Sequence, residues 1–185
     1  MTRRRLSTGT KRSDDSPLVV ALGLGSNTGD REANLQLAVR SLTPHLEEIQ
    51  VSSPFHTQPL HETSQPAFLN AAVVATCSLS AEDLLGLAKG LEWLAGRRPG
   101  PRYGPRPLDV DILVYGDRRI RRPELIIPHP LLRQRAFVLA PLSEIAPHLP
   151  IPPDGARVID LLSALGDDQG VEKQSWSLRR GKLMP

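Results

Sequence analysis

Two aspartates one residue apart, Asp109 and Asp111, interrupt an otherwise apolar run, RPLDVDILVYG at 106–116. If the run is a strand, alternation puts Leu108, Val110, Ile112 and Val114 on one face and both acids on the other, their Cα atoms about 6.5–7 Å apart. A carboxylate taken out of water is costly unless it is paired. Two at this separation can share one hard divalent cation or bracket two, and Mg2+ characteristically combines one or two carboxylates with phosphate oxygens and water. For a bare D-x-D, a strand with one wet face is the simpler reading. The arginines reverse that preference: ten lie between Arg97 and Arg135, against four acids. Guanidinium forks make bidentate, charge-assisted bonds to phosphate. Acids for a metal beside arginines for phosphate are the parts of phosphoryl transfer.

Other stretches are less decisive. GLGSNTGD at 23–30 spaces its glycines one residue too widely for a dinucleotide fingerprint, and no P-loop pattern occurs. It reads equally well as a tight strand-to-helix turn and as a binding loop. His129, close in sequence to Arg133 and Arg135, could hydrogen-bond a phosphate. The other histidines show no ligand spacing, so no zinc site is expected. Cys77, the sole cysteine, sits in an apolar run and reads as inert core. Trp93, beside Leu94 on a helix, reads as packing, and Trp176 lies in a polar tail.

The elements that must position these residues follow from periodicity. PLVVALGLGSN is a β-branched strand ending in turn residues. Leu35, Ala38, Leu42 and Leu46 recur at helical spacing, with Asp30 as N-cap. VSSPFHTQPL is a short strand entering a proline-bearing loop, and FLNAAVVATCSL is a second convincing strand. Ser80 and Asp83 form a capping box ahead of an apolar stripe at Leu84, Leu87, Leu91 and Leu94. RRPGPRYGPRP is a loop that fits a lid closing over substrates. The order β-α-β, loop, β-α-loop-β predicts an α/β (α+β) ferredoxin-like βαββαβ sandwich, an antiparallel sheet with helices over one face. A doubly wound parallel sheet is the competing architecture.

The chain has 185 residues, 39% hydrophobic and 23% charged, which fits a single globular domain. The expected division is a disordered basic tail at 1–16, one domain at 17–166 and a polar basic C-terminal tail at 167–185. The net charge of +3 belongs to the ends, since residues 1–15 carry five basic and two acidic side chains and residues 171–185 four and one. The body is mildly acidic, and aromatics make up only 4% of the chain. Both facts weigh against a nucleic-acid module. No apolar stretch is long enough for a spanning helix, and the N-terminal residues lack the apolar region of a secretory signal. The cytoplasm is the expected location.

RYGPRPLDVDILVYG, followed by PHP and RQRAFVLAPLSEIAP, resembles the 6-hydroxymethyl-7,8-dihydropterin pyrophosphokinases of folate biosynthesis. LGLGSNTGDREANL, SSPFHTQPL and QPAFLNAAV resemble the family's other signatures, in order, from about Leu18 to Pro153. The resemblance implies the ferredoxin-like fold, a monomer, and transfer of pyrophosphate from ATP to the pterin hydroxymethyl with release of AMP. Asp109 and Asp111 would hold two Mg2+ ions with ATP, while Arg97 and Arg106 would neutralise the transferring group. Lys89, Glu92, Ile112, His129 and Arg135 would contact ATP. Thr57, Pro59, Leu60, Phe68, Asn70, Tyr103 and Phe137 would form the pterin pocket. Lys89, Tyr103 and Pro130 depart from residues common in the family. The runner-up is a palm-like nucleotidyl-transferring domain, which would release pyrophosphate.

Overall fold

The computed structural model describes residues 17–59, 64–100, 104–166, 170–179 and 181. Along the chain lie β1 (Leu18–Ser26), α1 (Arg31–Leu42), β2 (Glu47–Val51), β3 (Phe55–Thr57), β4 (Phe68–Cys77) and α2 (Ala81–Leu94). Then follow β5 (Asp109–Tyr115), β6 (Ile120–Arg122), β7 (Leu125–Ile127), α3 (Ala136–Ile145), β8 (Pro150–Ile151), β9 (Ala156–Arg157), α4 (Val158–Leu165) and β10 (Val171–Lys173).

β1 is central because it is buried on both faces, with Val20, Ala21, Leu22 and Leu24 at 2% exposure or less. It pairs with β4 on one side and β5 on the other. The main sheet runs β10-β3-β4-β1-β5, and β2 also pairs with β4. Every pairing described is antiparallel, which rules out the doubly wound alternative for the described chain. The strand expected near residue 51 is two strands, broken at Ser52–Pro54. Ser52 bridges the break: its amide donates to Ala72 O (3.0 Å) and its Oγ accepts from the Ala72 amide (2.9 Å).

Helices cover both faces of the sheet rather than the one expected. On one face, Leu35, Ala38, Val39 and Leu42 of α1 and Leu84, Ala88 and Leu91 of α2 pack with Leu22, Leu24, Val73, Val110 and Ile112. On the other, Val138, Leu139 and Leu142 of α3 and Val158 of α4 pack with Ala21, Ala72, Val74, Leu113 and Val114. The second layer comes from the C-terminal third, where apolar periodicity was too mixed to show a helix around Pro141.

Both predicted caps form. Asp30 accepts from the Ala33 amide at 3.0 Å, and Ser80 accepts from the Asp83 amide at 3.1 Å. Each such cap stabilises its helix by about 1 kcal/mol. The α2 stripe differs from expectation: Ala81, Leu84, Ala88 and Leu91 are buried, whereas Trp93 and Leu94 are 61% and 63% exposed. Trp93 is not core; the Arg98 guanidinium stacks on it, 4.1 Å from the ring centroid. Trp176, by contrast, packs against the core from the C-terminal segment. Cys77 is buried as expected, and burial pushes its thiol pKa up. Among the described residues, no helix is long and apolar enough to cross a membrane.

Val114 also departs from simple alternation. The register of β5 on β1 shifts between Ala21 and Leu22, opposite Val114 and Ile112. This bulge at Leu113 inverts the phase. Leu108, Val110 and Ile112 face the α1–α2 core, while Val114 joins Leu113 beneath α3.

Candidate active site

The cleft lies over the face of the sheet that carries the acids. In register, Asp109 pairs with Gly25 and Asp111 with Gly23. One strand further on, Gly25 pairs with Asn70 and Gly23 with Ala72. The row Asp109, Gly25, Asn70 therefore crosses three strands, with the outer two about 9.5 Å apart from the ordinary inter-strand spacing. Opposite the acids β1 has no side chains. A Cβ at Gly25 would stand 3.2 Å from Asn70 Oδ1 and 3.8 Å from Asp109 Cβ. The glycines of GLG thus act inside the strand, as a floor, rather than in the turn that follows.

At one end of the cleft is an ion-pair cluster. Arg97 Nη1 lies 2.5 Å from Asp109 Oδ1, and Arg106 Nη1 lies 3.0 Å from Oδ2. Burial alone would raise the Asp109 pKa, but Arg106 and Arg97 hold it below the ordinary carboxylate range. Among the described residues Asp111 has no arginine pair of this kind. Its one ion-pair contact among the described residues is His129 Nε2, at 4.0 Å. Burial, then the neighbouring Asp109 charge, push it up to about 6. The two acids are therefore electrostatically unequal: one is held ionised by arginines, the other is poised to gain from a cation.

Glu92, 3% exposed, organises this end from α2. Its Oε1 accepts from the Val110 amide (3.0 Å) and from Lys89 Nζ (2.9 Å), while Oε2 lies 2.7 Å from Arg97 Nη1. Lys89 and Glu92, expected to face the nucleotide, border a second cleft with Arg97, Arg98 and Arg106. Ile112 is 5% exposed in the core, with its side chain away from the acid face. His129 hangs on β5 through its amide, which donates to Leu113 O at 2.9 Å. Burial and the Arg135 charge lower its pKa to about 4, so the imidazole is neutral at pH 7. Its Nδ1 accepts from the Leu131 amide (3.3 Å), which leaves the proton on Nε2, the nitrogen nearer Asp111. Arg133 does not reach this cluster: it binds Asp154 and the Ile151 and Pro152 carbonyls.

The other end is apolar with a few polar atoms. Thr57, Pro59, Phe68, Asn70 and Phe137 line it, and the same cleft continues to Arg106, Arg135 and both aspartates. Asn70 Nδ2 donates to Thr57 Oγ1 at 2.8 Å, and both residues are buried. Arg135 sits 5.4 Å from the Phe137 ring centroid. Leu60 and Tyr103 lie outside the described residues, as do residues 101–102 of the expected lid.

Sequence reasoning missed Gln58, Gln65 and Val138, which also line the cleft, and two residues that fix its walls. Asn27, 1% exposed, ties three segments: its amide donates to Arg106 O (3.1 Å), its Oδ1 accepts from the Arg106 amide (2.7 Å), and its Nδ2 donates to Gln65 Oε1 (3.0 Å). Arg31 Nη1 donates to Ala67 O at 2.6 Å. The one signal for Asn27 was an amide placed directly after an apolar strand.

The donor set fits a hard divalent cation. Both acids offer oxygen only, and the described residues hold no group of three or more His, Cys, Asp or Glu able to bind a metal alone. The remaining positions would fall to phosphate and water, the arrangement Mg2+ prefers.

Comparison with known proteins is consistent with this geometry. Residues 21–147 match the family model for 7,8-dihydro-6-hydroxymethylpterin-pyrophosphokinase. A 2-amino-4-hydroxy-6-hydroxymethyldihydropteridine pyrophosphokinase of Methylorubrum extorquens is 42% identical over 154 residues, covering 82% of this chain and 96% of that one. The mitochondrial folate synthesis bifunctional protein of Arabidopsis thaliana is 46% identical over 133 residues, 68% of this chain but 23% of that protein. In structure, wild-type Plasmodium falciparum HPPK-DHPS, solved with pteroate, aligns with a TM-score of 0.65 at 16% identity, over 80% of this chain and 42% of that one. That likeness speaks to the fold alone. The chain spans less than half of these bifunctional proteins and nearly all of the Methylorubrum enzyme.

Proposed function

Because the chain belongs to the 7,8-dihydro-6-hydroxymethylpterin-pyrophosphokinase family, we propose that it carries out that family's pyrophosphoryl transfer in folate synthesis, as an ATP- and Mg2+-dependent monomer with the ferredoxin-like βαββαβ arrangement. The acceptor is 6-hydroxymethyl-7,8-dihydropterin. Its hydroxymethyl oxygen attacks the β-phosphorus of ATP, the bond from that phosphorus to the α,β-bridging oxygen breaks, AMP departs, and the hydroxyl proton passes to solvent. The row Asp109, Gly25, Asn70 carries the reading, because it sets a charged end and an amide-bearing end of one cleft about two strand spacings apart.

Asp109 and Asp111 would hold the Mg2+, which when bound neutralises phosphate charge and acidifies the acceptor hydroxyl. Arg97 and Arg106, now on Asp109, would turn to the phosphoryl oxygens as that carboxylate takes the metal. Glu92 keeps Arg97 beside the cleft through this exchange. His129 would donate its Nε2 proton to a phosphate oxygen, and Arg135 would add a second contact. At the acceptor end, Phe68 and Phe137 present apolar ring faces to the flat pterin, while Asn70 and Thr57 meet its amide edge.

The test is to incubate the protein with ATP, Mg2+ and hydroxymethyldihydropterin and to separate the nucleotides. AMP and the pterin diphosphate are the expected products. Pyrophosphate in place of AMP would point to nucleotidyl transfer, and no turnover by folded protein would refute the assignment.

A further inference from the structure

The C-terminal segment, read from sequence as a polar tail, is built into the acceptor side of the cleft. β3 has three residues and pairs with β4 on one edge only. Its other edge is filled by β10, with Val171 opposite Thr57, Glu172 opposite His56 and Lys173 opposite Phe55. The Gln174 amide extends the pairing to Pro54 O at 2.8 Å. Lys173 Nζ lies 3.0 Å from Glu144 Oε1, and Glu144 also accepts from the Ser53 amide (3.0 Å) and Ser53 Oγ (2.9 Å). β3 and the end of α3 are therefore tied by the same few residues. The segment then crosses to α1. Trp176 packs on the core, Leu178 is 8% exposed, and Arg179 is held at both backbone groups by Gln36: its amide donates to Oε1 (2.9 Å) and its carbonyl accepts from Nε2 (2.5 Å).

These two anchors flank one loop. β3 ends at Thr57, where the chain enters the stretch bearing Gln58 and Pro59; α1 begins at Arg31, whose guanidinium holds Ala67 O where that stretch returns to Phe68. We propose that residues 171–179 form a strap that positions the pterin-binding wall, so that capture of the acceptor depends on it and capture of ATP does not. A three-residue strand with an open edge frays readily, and fraying here would displace Thr57 from its bond with Asn70. The bonds described for the strap go to β3, Glu144 and α1, and among the described residues none of them goes to β5 or to its ion-pair cluster. The proposal rests on the pyrophosphokinase reading for the identity of the acceptor.

The experiment compares the full chain with one ending at Gly170, by AMP release with each substrate varied in turn. The truncated chain should show a pterin KM raised about tenfold, with ATP KM and kcat within about twofold. A synthetic peptide of residues 171–185 added in excess should bring the pterin KM back. If the truncated chain does not fold, Gln36→Ala in the full chain decides, since it removes only the far anchor. Its pterin KM should rise about threefold, with ATP KM unchanged. Pterin KM within twofold of the parent in the folded variants, or a parallel rise for both substrates, would overturn the strap. A full chain that releases no AMP would instead overturn the function reading and this proposal with it.

Discussion

Asp111→Asn separates the cost of the site from its use. The folded pKa of about 6 lies above the ordinary 3.8, so the fold favours protonated Asp111. That stability is complete below about pH 3.8 and is lost as the pH rises through about 6. The rise from 3.8 to about 6 corresponds to about 3 kcal/mol. The side chain is 36% exposed, and solvent screening brings the figure down to about 1 kcal/mol. Asparagine keeps the shape without the charge, so the variant should avoid this loss. In EDTA at pH 8 it should melt about 2–4 °C above the parent, and the gap should close as the pH falls toward 4. With Mg2+ and a non-hydrolysable ATP analogue the order should reverse, because only the parent gains a carboxylate ligand, and AMP release by the variant should be lost. Thermal melts at several pH values, with and without the metal nucleotide, read all of this. A variant less stable than the parent at pH 8 in EDTA, or a gap independent of pH, would refute the electrostatic reasoning.

Asn27→Ala should lower stability by about 1 kcal/mol, because it takes the acceptor from the half-buried Arg106 amide. It should also slow AMP release at saturating substrates, by loosening the segment that aims Arg106; an unchanged melt and rate would deny the tie. Glu92→Ala should cost about 1–3 kcal/mol in urea unfolding, chiefly by stranding the buried Val110 amide, since Arg97 and Lys89 can reach water. Glu92→Gln, which can still accept from the Val110 amide, should cost less than half as much while still reducing turnover.

The acid pair was legible because alternation is local: Val110 and Ile112 went into the core and the aspartates to the cleft, as the period of two requires. Val114 was misplaced because a bulge changes the phase and leaves no mark in composition. Trp93 and Leu94 continued an apolar run in sequence, yet both stand exposed at the end of α2, with the Arg98 guanidinium stacked on Trp93. Asn27, Gln36 and Glu144 act through partners 38 to 143 residues away, and no local pattern encodes such contacts. The C-terminal strap was invisible for the same reason. A strand of three polar-flanked residues has no signature until β3 offers it an edge.

Glycine opposite each aspartate has one more consequence. Over most of the sheet, side chains from α3 and the strands fill the layer above the backbone; the Leu113 side chain reaches over Gly23, but Gly25 adds no side chain and opens on the cleft between Asn70 and Asp109. A flat ring laid there would sit against backbone and take up the contacts that core side chains make elsewhere. In that sense the free protein is an unfinished interior, and the acceptor is the last piece of its packing.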